Sequence, residues 1–118
     1  MDVDEATRRH LLVLAKRRNA RRTEFSREMP TDWRPRQVRN PNALFESHFT
    51  DATAWEFIAS KIEAGHPVET IQLDKPPGAK GYVMKIDMEP GQPQLYVKLQ
   101  LRSGQIVGRS FHYSEHDD

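Results

Sequence analysis

The hydrophobic pattern of this chain changes its period at Pro67. Over residues 51–64, apolar side chains recur at helical spacing and predict a helix with one face in a core. The residues of that face are Trp55, Ile58, Ala59 and Ile62. After Pro67, apolar residues recur at every second position, which is the period of a half-buried strand. The chain therefore changes there from helix to strands.

Four strand candidates follow, and turn signals separate them. They cover Val68 to Leu73, Gly81 to Met88, Leu95 to Leu101 and Gln105 to Tyr113. The dipeptide Ser103-Gly104 has the composition of a hairpin turn. Consecutive strands with short turns predict an antiparallel meander of three to four strands. With the helix packed on one face, the predicted fold class is α+β.

Residue types also mark both ends of the helix predicted over residues 51–64. Thr53 and Glu56 have the spacing of a capping box, with Asp51 as an alternative cap. Gly65 is placed to end the helix, because glycine adopts the left-handed conformation that follows a last turn. The sequence thus predicts both helix ends.

A basic region precedes this part of the chain. A helix is predicted over residues 4–22, with Asp4 as its cap. Residues 23–49 lack periodicity, contain three prolines and are interpreted as an extended linker or as a segment draped over the body. We therefore predict two regions: a basic N-terminal helix and extended arm over residues 1–46, and a compact α+β domain over residues 47–118.

The net charge of +1 conceals an asymmetry between these regions. Residues 8–39 carry eleven Lys or Arg against three acids, a net charge of +8, whereas residues 40–118 carry seven against eleven, a net charge of −4. A basic block of this kind favours a polyanionic partner, either a nucleic acid or an acidic protein. The alternative is that this region is a solvated helix and tail, and that its charges only keep the protein soluble.

Other features narrow the function classes. The chain has no cysteine, which excludes thiolate nucleophiles and zinc–thiolate sites, and its five histidines are scattered. We therefore expect neither a metal nor a cofactor. No apolar run approaches the roughly 20 residues that span a bilayer, and no signal-peptide pattern is present. The expected location is the cytoplasm, with no membrane partner.

The outward side of the last two strands carries groups suited to metal-free RNA cleavage. Tyr96 and Lys98 lie two residues apart on one side, and counting from the predicted hairpin turn places Lys98 opposite Arg109 or Ser110, and Tyr96 near His112. Histidine can act as general acid or base, lysine and arginine can stabilise a charged phosphate, and tyrosine can stack on a base. The candidate catalytic residues are His112, Lys98, Tyr96 and Arg109. The alternative is an exposed strand face with no reaction.

Further basic residues are candidate RNA contacts. Two lysines border a loop rich in Pro and Gly, and three arginines surround Trp33 in a mixture of cations and aromatic rings that is used on single-stranded nucleic acid. The predicted RNA-binding residues are Lys75, Lys80, Lys85, Arg34, Arg36 and Arg39. A plain exposed loop, and a Trp33 that anchors its segment to the body, are the alternatives.

The strands Leu95-Tyr96-Val97-Lys98-Leu99 and Ile106-Val107-Gly108-Arg109-Ser110-Phe111-His112, after a helix that ends at Gly65, resemble the MqsR- and RelE-like toxins of bacterial toxin–antitoxin systems. The resemblance covers roughly residues 52–115. It implies a small antiparallel sheet against one or two helices and metal-independent cleavage of messenger RNA.

The resemblance also implies roles for individual residues. Tyr96 matches the family's active-site tyrosine, and His112 lies where the family has a catalytic lysine. The family's other catalytic lysine and glutamine have no clear counterpart, with Lys85 and Tyr82 in the nearest positions. The implied partners are RNA, a cognate antitoxin and the ribosome. The alternative functions are a nucleic-acid-binding protein without activity and a protein-interaction module, such as an inhibitor or antitoxin.

Overall fold

Two α-helices and six strands are present in the computed structural model, which describes residues 2–44 and 47–114. Helix α1 spans Glu5–Ala15 and helix α2 spans Asp51–Glu63. The strands are β1 (Arg21–Arg22), β2 (Asp32–Trp33), β3 (Glu69–Gln72), β4 (Lys80–Ile86), β5 (Leu95–Arg102) and β6 (Gln105–Tyr113). Neither α-helix of the described segments has the length and apolar character that crossing a membrane requires.

The sheet has the order β1-β6-β5-β4-β3, and β2 pairs with β6 as well. Strands β3 to β6 form the predicted antiparallel meander, and the last hairpin turns at Ser103 and Gly104, whose φ angles are both positive. Strands β1 and β2 instead pair in parallel with β6, beside Ile106 and Ser110 respectively. The predicted α+β class is confirmed, and the short parallel strands add to it.

One face of this sheet packs against the helices. Leu95, Val97 and Leu99 of β5 are fully buried, as the alternation of the sequence predicts. The four apolar residues predicted for the core face of α2 are all buried as well. Helix α1 lies against α2 and contributes Leu11 and Leu14 to the same core. Both helices therefore cover the same side of the sheet.

The N-terminal helix is shorter than the sequence predicts. It ends at Ala15 rather than at residue 22, and a 3-10 turn over Arg18–Ala20 leads into β1. Arg21 Nε donates a hydrogen bond of 2.8 Å to the Ala15 carbonyl, which the helix end leaves without an intrahelical donor. The chain leaves the helical path because the edge of β6 offers backbone pairing to β1. Helix propensity depends on residues that are close in the sequence, so it does not take account of this distant strand.

The arm after β1 is draped over the body, which is one of its two predicted interpretations. Trp33 stacks on Trp55 of α2 with ring centroids 5.0 Å apart and also contacts Phe111 of β6. Val38 and Phe49 are buried in the same core. Core residues thus come from both predicted regions, and the predicted boundary at residue 46 lies outside the described residues.

The start of α2 differs from its predicted cap. The cap is Thr50, not Thr53 or Asp51, and its partner three positions later is Thr53 rather than Glu56. The Thr53 amide donates to the Thr50 hydroxyl at 3.2 Å, and the Thr50 amide donates to the Thr53 hydroxyl at 2.8 Å. A threonine hydroxyl reaches back as a glutamate would, so the capping-box spacing holds three residues earlier than predicted. Gly65, with φ of +88°, ends the helix as predicted.

Candidate active site

A cleft of about 520 Å³ opens on the side of the sheet that faces away from the helices. Its floor comes from the outward side chains of β5 and β6, and two loops form its walls. The lining residues are Tyr96, Lys98, Arg109, Ser110 and His112 on the floor, Pro30, Thr31 and Asp32 on one wall, and Leu73, Asp74 and Lys75 on the other. All four residues predicted as catalytic therefore line one cleft.

The floor is shaped by an irregularity in the pairing of β5 with β6. Lys98 lies opposite Ser110 and Tyr96 opposite His112, as the count from the hairpin turn predicts. The next pair, however, joins Leu99 to Gly108, so Arg109 is an extra residue in β6. A bulge of this kind lets two successive residues face the same side of a sheet. Arg109 and Ser110 consequently both line the cleft.

Arg109 provides a positive charge that is fixed in position. Its side chain is only 4% exposed. Its Nε donates to the Pro30 carbonyl and its Nη1 to the Gln100 side-chain oxygen, both at 2.8 Å. Burial lowers the pKa of Arg109, but an arginine keeps its charge near neutral pH. The guanidinium thus holds the arm to the sheet and places positive charge at the cleft floor.

Lys98 lies beside that charge and is half-buried. Its pKa is lowered, first by burial and then by the nearby Arg109 charge, while Asp74 and Asp32 act in the opposite direction. A lowered pKa makes the ammonium group a stronger acid than an exposed lysine would be. Lys98 can therefore attract a phosphate and also release a proton more readily.

His112 is held from both ring nitrogens. Its Nδ1 lies 2.7 Å from the Tyr113 carbonyl oxygen, to which it can donate, and its Nε2 lies 3.4 Å from Oδ2 of Asp32. Asp32 also accepts a hydrogen bond from Arg34 Nε. A carboxylate beside an imidazole fixes the orientation of the ring. Asp32 and His112 thus form an acid–base pair on the cleft wall and floor.

Sequence reasoning missed Asp32. It lies far from His112 in the chain and in a segment without periodicity, so no spacing signal connects the two. The parallel pairing of Asp32 with Ser110 directs its side chain to the outward face. The position of β2 on the β6 edge is therefore what adds a carboxylate to the cleft.

Tyr96 stacks on His112, with ring centroids 5.7 Å apart and planes inclined by 26°. Burial raises the pKa of Tyr96, so its hydroxyl remains a hydrogen-bond donor at neutral pH. The two rings lie next to the charged groups of the cleft. An arrangement of this kind suits a nucleotide, because a base can stack while its phosphate meets a cation.

The predicted RNA-binding residues are distributed differently. Only Lys75 lines the cleft. Lys85 is exposed on the outward side of β4, directly opposite Tyr96 in the β4–β5 register. Lys80 and Arg36 are exposed and do not line the cleft. Only part of the predicted set is therefore near the candidate site.

The two remaining arginines are engaged with acids. Arg34 bonds to Asp32, at the cleft wall. Arg39 forms an ion pair of 3.1 Å with Glu89, and its backbone amide donates to the Tyr113 hydroxyl at 3.2 Å. Arg39 thus ties the arm to the body, whereas Arg34 remains next to the candidate acid–base pair.

Across the described residues, no group of three or more His, Asp or Glu side chains has the arrangement of a metal site. Searches of protein-family models, of curated proteins and of solved structures find no match to this chain. The resemblance to MqsR- and RelE-like toxins stays a prediction.

Proposed function

We propose that this protein is a toxin-type endoribonuclease that cleaves messenger RNA in the cytoplasm without a metal ion, in the cleft on the outward face of its sheet. The observation that carries the proposal is the convergence of His112, Lys98, Tyr96 and Arg109 on one cleft. An imidazole, an ammonium, a fixed guanidinium and a stacking ring are together the groups that such a reaction requires.

The proposed reaction uses the 2′-hydroxyl of the RNA as nucleophile. A base removes the proton of that hydroxyl, its oxygen attacks the adjacent phosphorus, and the bond from phosphorus to the 5′-oxygen breaks. An acid gives its proton to the departing 5′-oxygen. The products are a 2′,3′-cyclic phosphate and a 5′-hydroxyl, and no oxidant or further reactant is consumed. DNA lacks the nucleophile and is not a substrate.

The surroundings of each side chain suggest its role. His112 acts as the base through Nε2, since its Nδ1 is directed at the Tyr113 carbonyl; Nε2 exchanges its 3.4 Å contact with Asp32 for the substrate hydroxyl, and the adjacent carboxylate stabilises the imidazolium that forms. Lys98 acts as the acid, since burial and Arg109 lower its pKa. Arg109 stabilises the negative charge that grows on the phosphate, and Tyr96 positions a base by stacking.

The decisive experiment compares His112→Ala with the wild-type protein. We expect wild type to cleave a long single-stranded RNA in the presence of EDTA and to leave cyclic phosphate ends. The variant should be about 10²- to 10⁴-fold slower, the usual contribution of one proton-transfer group. His10→Ala is the matched control, because His10 is exposed on α1. Circular dichroism should show an unchanged fold.

Ribosomes and a growth assay complete this experiment. The RNA cleavage assay is repeated with translating ribosomes, which separates a ribosome-dependent enzyme from an inactive protein. Expression of wild type should arrest growth, and His112→Ala should relieve the arrest. Cleavage by His112→Ala at the wild-type rate would remove this residue from the mechanism. No cleavage by wild type with or without ribosomes would reject the enzymatic function in favour of binding alone.

A further inference from the structure

The outward face of the sheet is open over only part of its area. The 23–31 loop, which connects β1 to β2, lies over the end of β5 and β6 near their hairpin turn. Arg102 on that face donates to the Met29 sulfur at 2.9 Å. Gln100 and Val107 also face outward there, yet they are only 3% and 2% exposed. The loop thus covers this end of the face.

The 73–79 loop covers the neighbouring end of β4. Leu73 is 4% exposed and packs over Gly81, where an added Cβ would lie 2.7 Å from Leu73 Cδ2. The loop is closed by a hydrogen bond of 2.8 Å from the Leu73 amide to the Ala79 carbonyl. With both loops in place, a ligand that enters the cleft cannot continue along the strands toward the hairpin turn.

The uncovered half of the face carries one row of side chains across the strands. Lys85 pairs with Tyr96, and Tyr96 pairs with His112. Arg34 follows β2 beside this row, since its amide donates to the Phe111 carbonyl at 2.9 Å. Neighbouring strands lie about 4.8 Å apart, so the row from β4 to the β2 side is about 14 Å long. It has a cation at each end and two stacked rings between them.

We infer that the RNA crosses the strands along this row as an unpaired strand, with Lys85 and Arg34 at phosphates on either side of the cleavage site. The inference rests on the proposed function and specifies its substrate as single-stranded RNA. Stacking on the Tyr96 and His112 rings requires a base that is free of a partner, and the bases of an RNA duplex are already stacked and paired. Two cations at the ends of the row hold successive parts of a backbone.

Binding to an RNA that cannot be cleaved tests this path without using activity. The probe is a fluorescent 2′-O-methyl RNA oligonucleotide, which lacks the nucleophile, and its affinity is measured against salt concentration. Lys85→Gln and Arg34→Gln should each weaken binding several-fold. Each should also lower the slope of log affinity against log salt by about 0.7, the value for one phosphate contact on a single strand.

Two control variants and a duplex probe complete the binding test. Arg9→Gln removes a charge from an exposed site on α1, where Arg9 lies 4.0 Å from Glu5, and should leave affinity and slope unchanged. Arg34→Lys keeps the cation and should restore the slope that Arg34→Gln loses. A duplex of the same sequence should bind more weakly than the single strand.

The outcomes separate this inference from the proposed function. Unchanged salt slopes in both Gln variants, or equal affinity for duplex and single strand, would reject the path even if wild type cleaves RNA. Lower slopes with a preference for the single strand would support the path even if no cleavage occurs, in which case the enzymatic proposal alone fails.

Discussion

The two faces of the sheet come from the same strands but differ in every property that matters for function. On the inner face, Met84, Val97 and Phe111 are buried beneath two helices. On the outer face, the alternate positions carry Lys98 and His112, and loops cover only part of the area. The inner face therefore determines whether the chain folds, whereas the outer face determines what the folded chain can bind.

Strand β2 connects the two faces. Its two residues point to opposite sides, with Trp33 against the inner core and Asp32 at the cleft. Trp33 rests directly on Gly108 of β6, where an added Cβ would lie 2.4 Å from the indole ring. A substitution at Gly108 or Trp33 on the inner face should therefore also move Asp32 on the outer face.

The change that should cost the most stability is in the core between the inner face and the helices, away from β2. Ile58→Ala in α2 removes a fully buried side chain and should lower the free energy of unfolding by about 2–5 kcal/mol. The exposed Glu56→Ala on the same helix is the control. Cleavage per folded molecule should remain at the wild-type value. If Ile58→Ala does not fold, Ile58→Val, which costs about 0.5–1.5 kcal/mol, serves as the test instead. A loss of cleavage in folded Ile58→Val would break the separation of the faces.

A smaller effect on stability, but with a functional consequence, is expected at Gly108. Gly108→Ala should destabilise by about 1–3 kcal/mol, because the indole of Trp33 must move. That movement displaces Asp32, so cleavage should fall as well. Combining Gly108→Ala with Trp33→Leu provides space for the new methyl group. The coupling energy from this double-mutant cycle is then favourable, and strict additivity would contradict the contact between the two residues.

The smallest expected effect is on the stability of an outer-face variant. Lys98→Met should increase stability slightly at neutral pH, because it removes a charge that burial and Arg109 disfavour. The same change should abolish most cleavage. The pKa of Lys98 is lower in the folded protein than in the unfolded chain. At pH values between these two pKa values the unfolded chain therefore binds more protons, and the stability of the wild type rises with pH across that range.

The pH dependence supplies the check on Lys98→Met. The stability advantage of the variant should be complete below the folded pKa of Lys98 and disappear above the ordinary lysine value of about 10.4. Chemical denaturation at several pH values measures it. An advantage that grows with pH would show that the positive charge of Lys98 stabilises the folded protein instead.

Much of the fold could be predicted, because the hydrophobic periodicity of each helix or strand is a local property of the sequence. The helical repeat of α2 and the two-residue alternation of β4 to β6 each report a buried face directly. Strands β1 and β2 could not be predicted, since two residues have no period and the chain pairs there only because the edge of β6 is available. For the same reason the end of α1 at Ala15 was not foreseen.

The candidate site divides in the same way. That Tyr96, Lys98 and His112 share a face follows from the sequence alone, because strand alternation and one hairpin turn set their register. Three features of the site arise only in the folded chain. Arg109 joins these residues through a bulge, Asp32 lies beside His112, and two loops turn an open face into a cleft. Alternation is a property of residues that are neighbours in the sequence. Parallel pairing with a distant strand, and the covering of a face by loops, depend instead on how the whole chain packs.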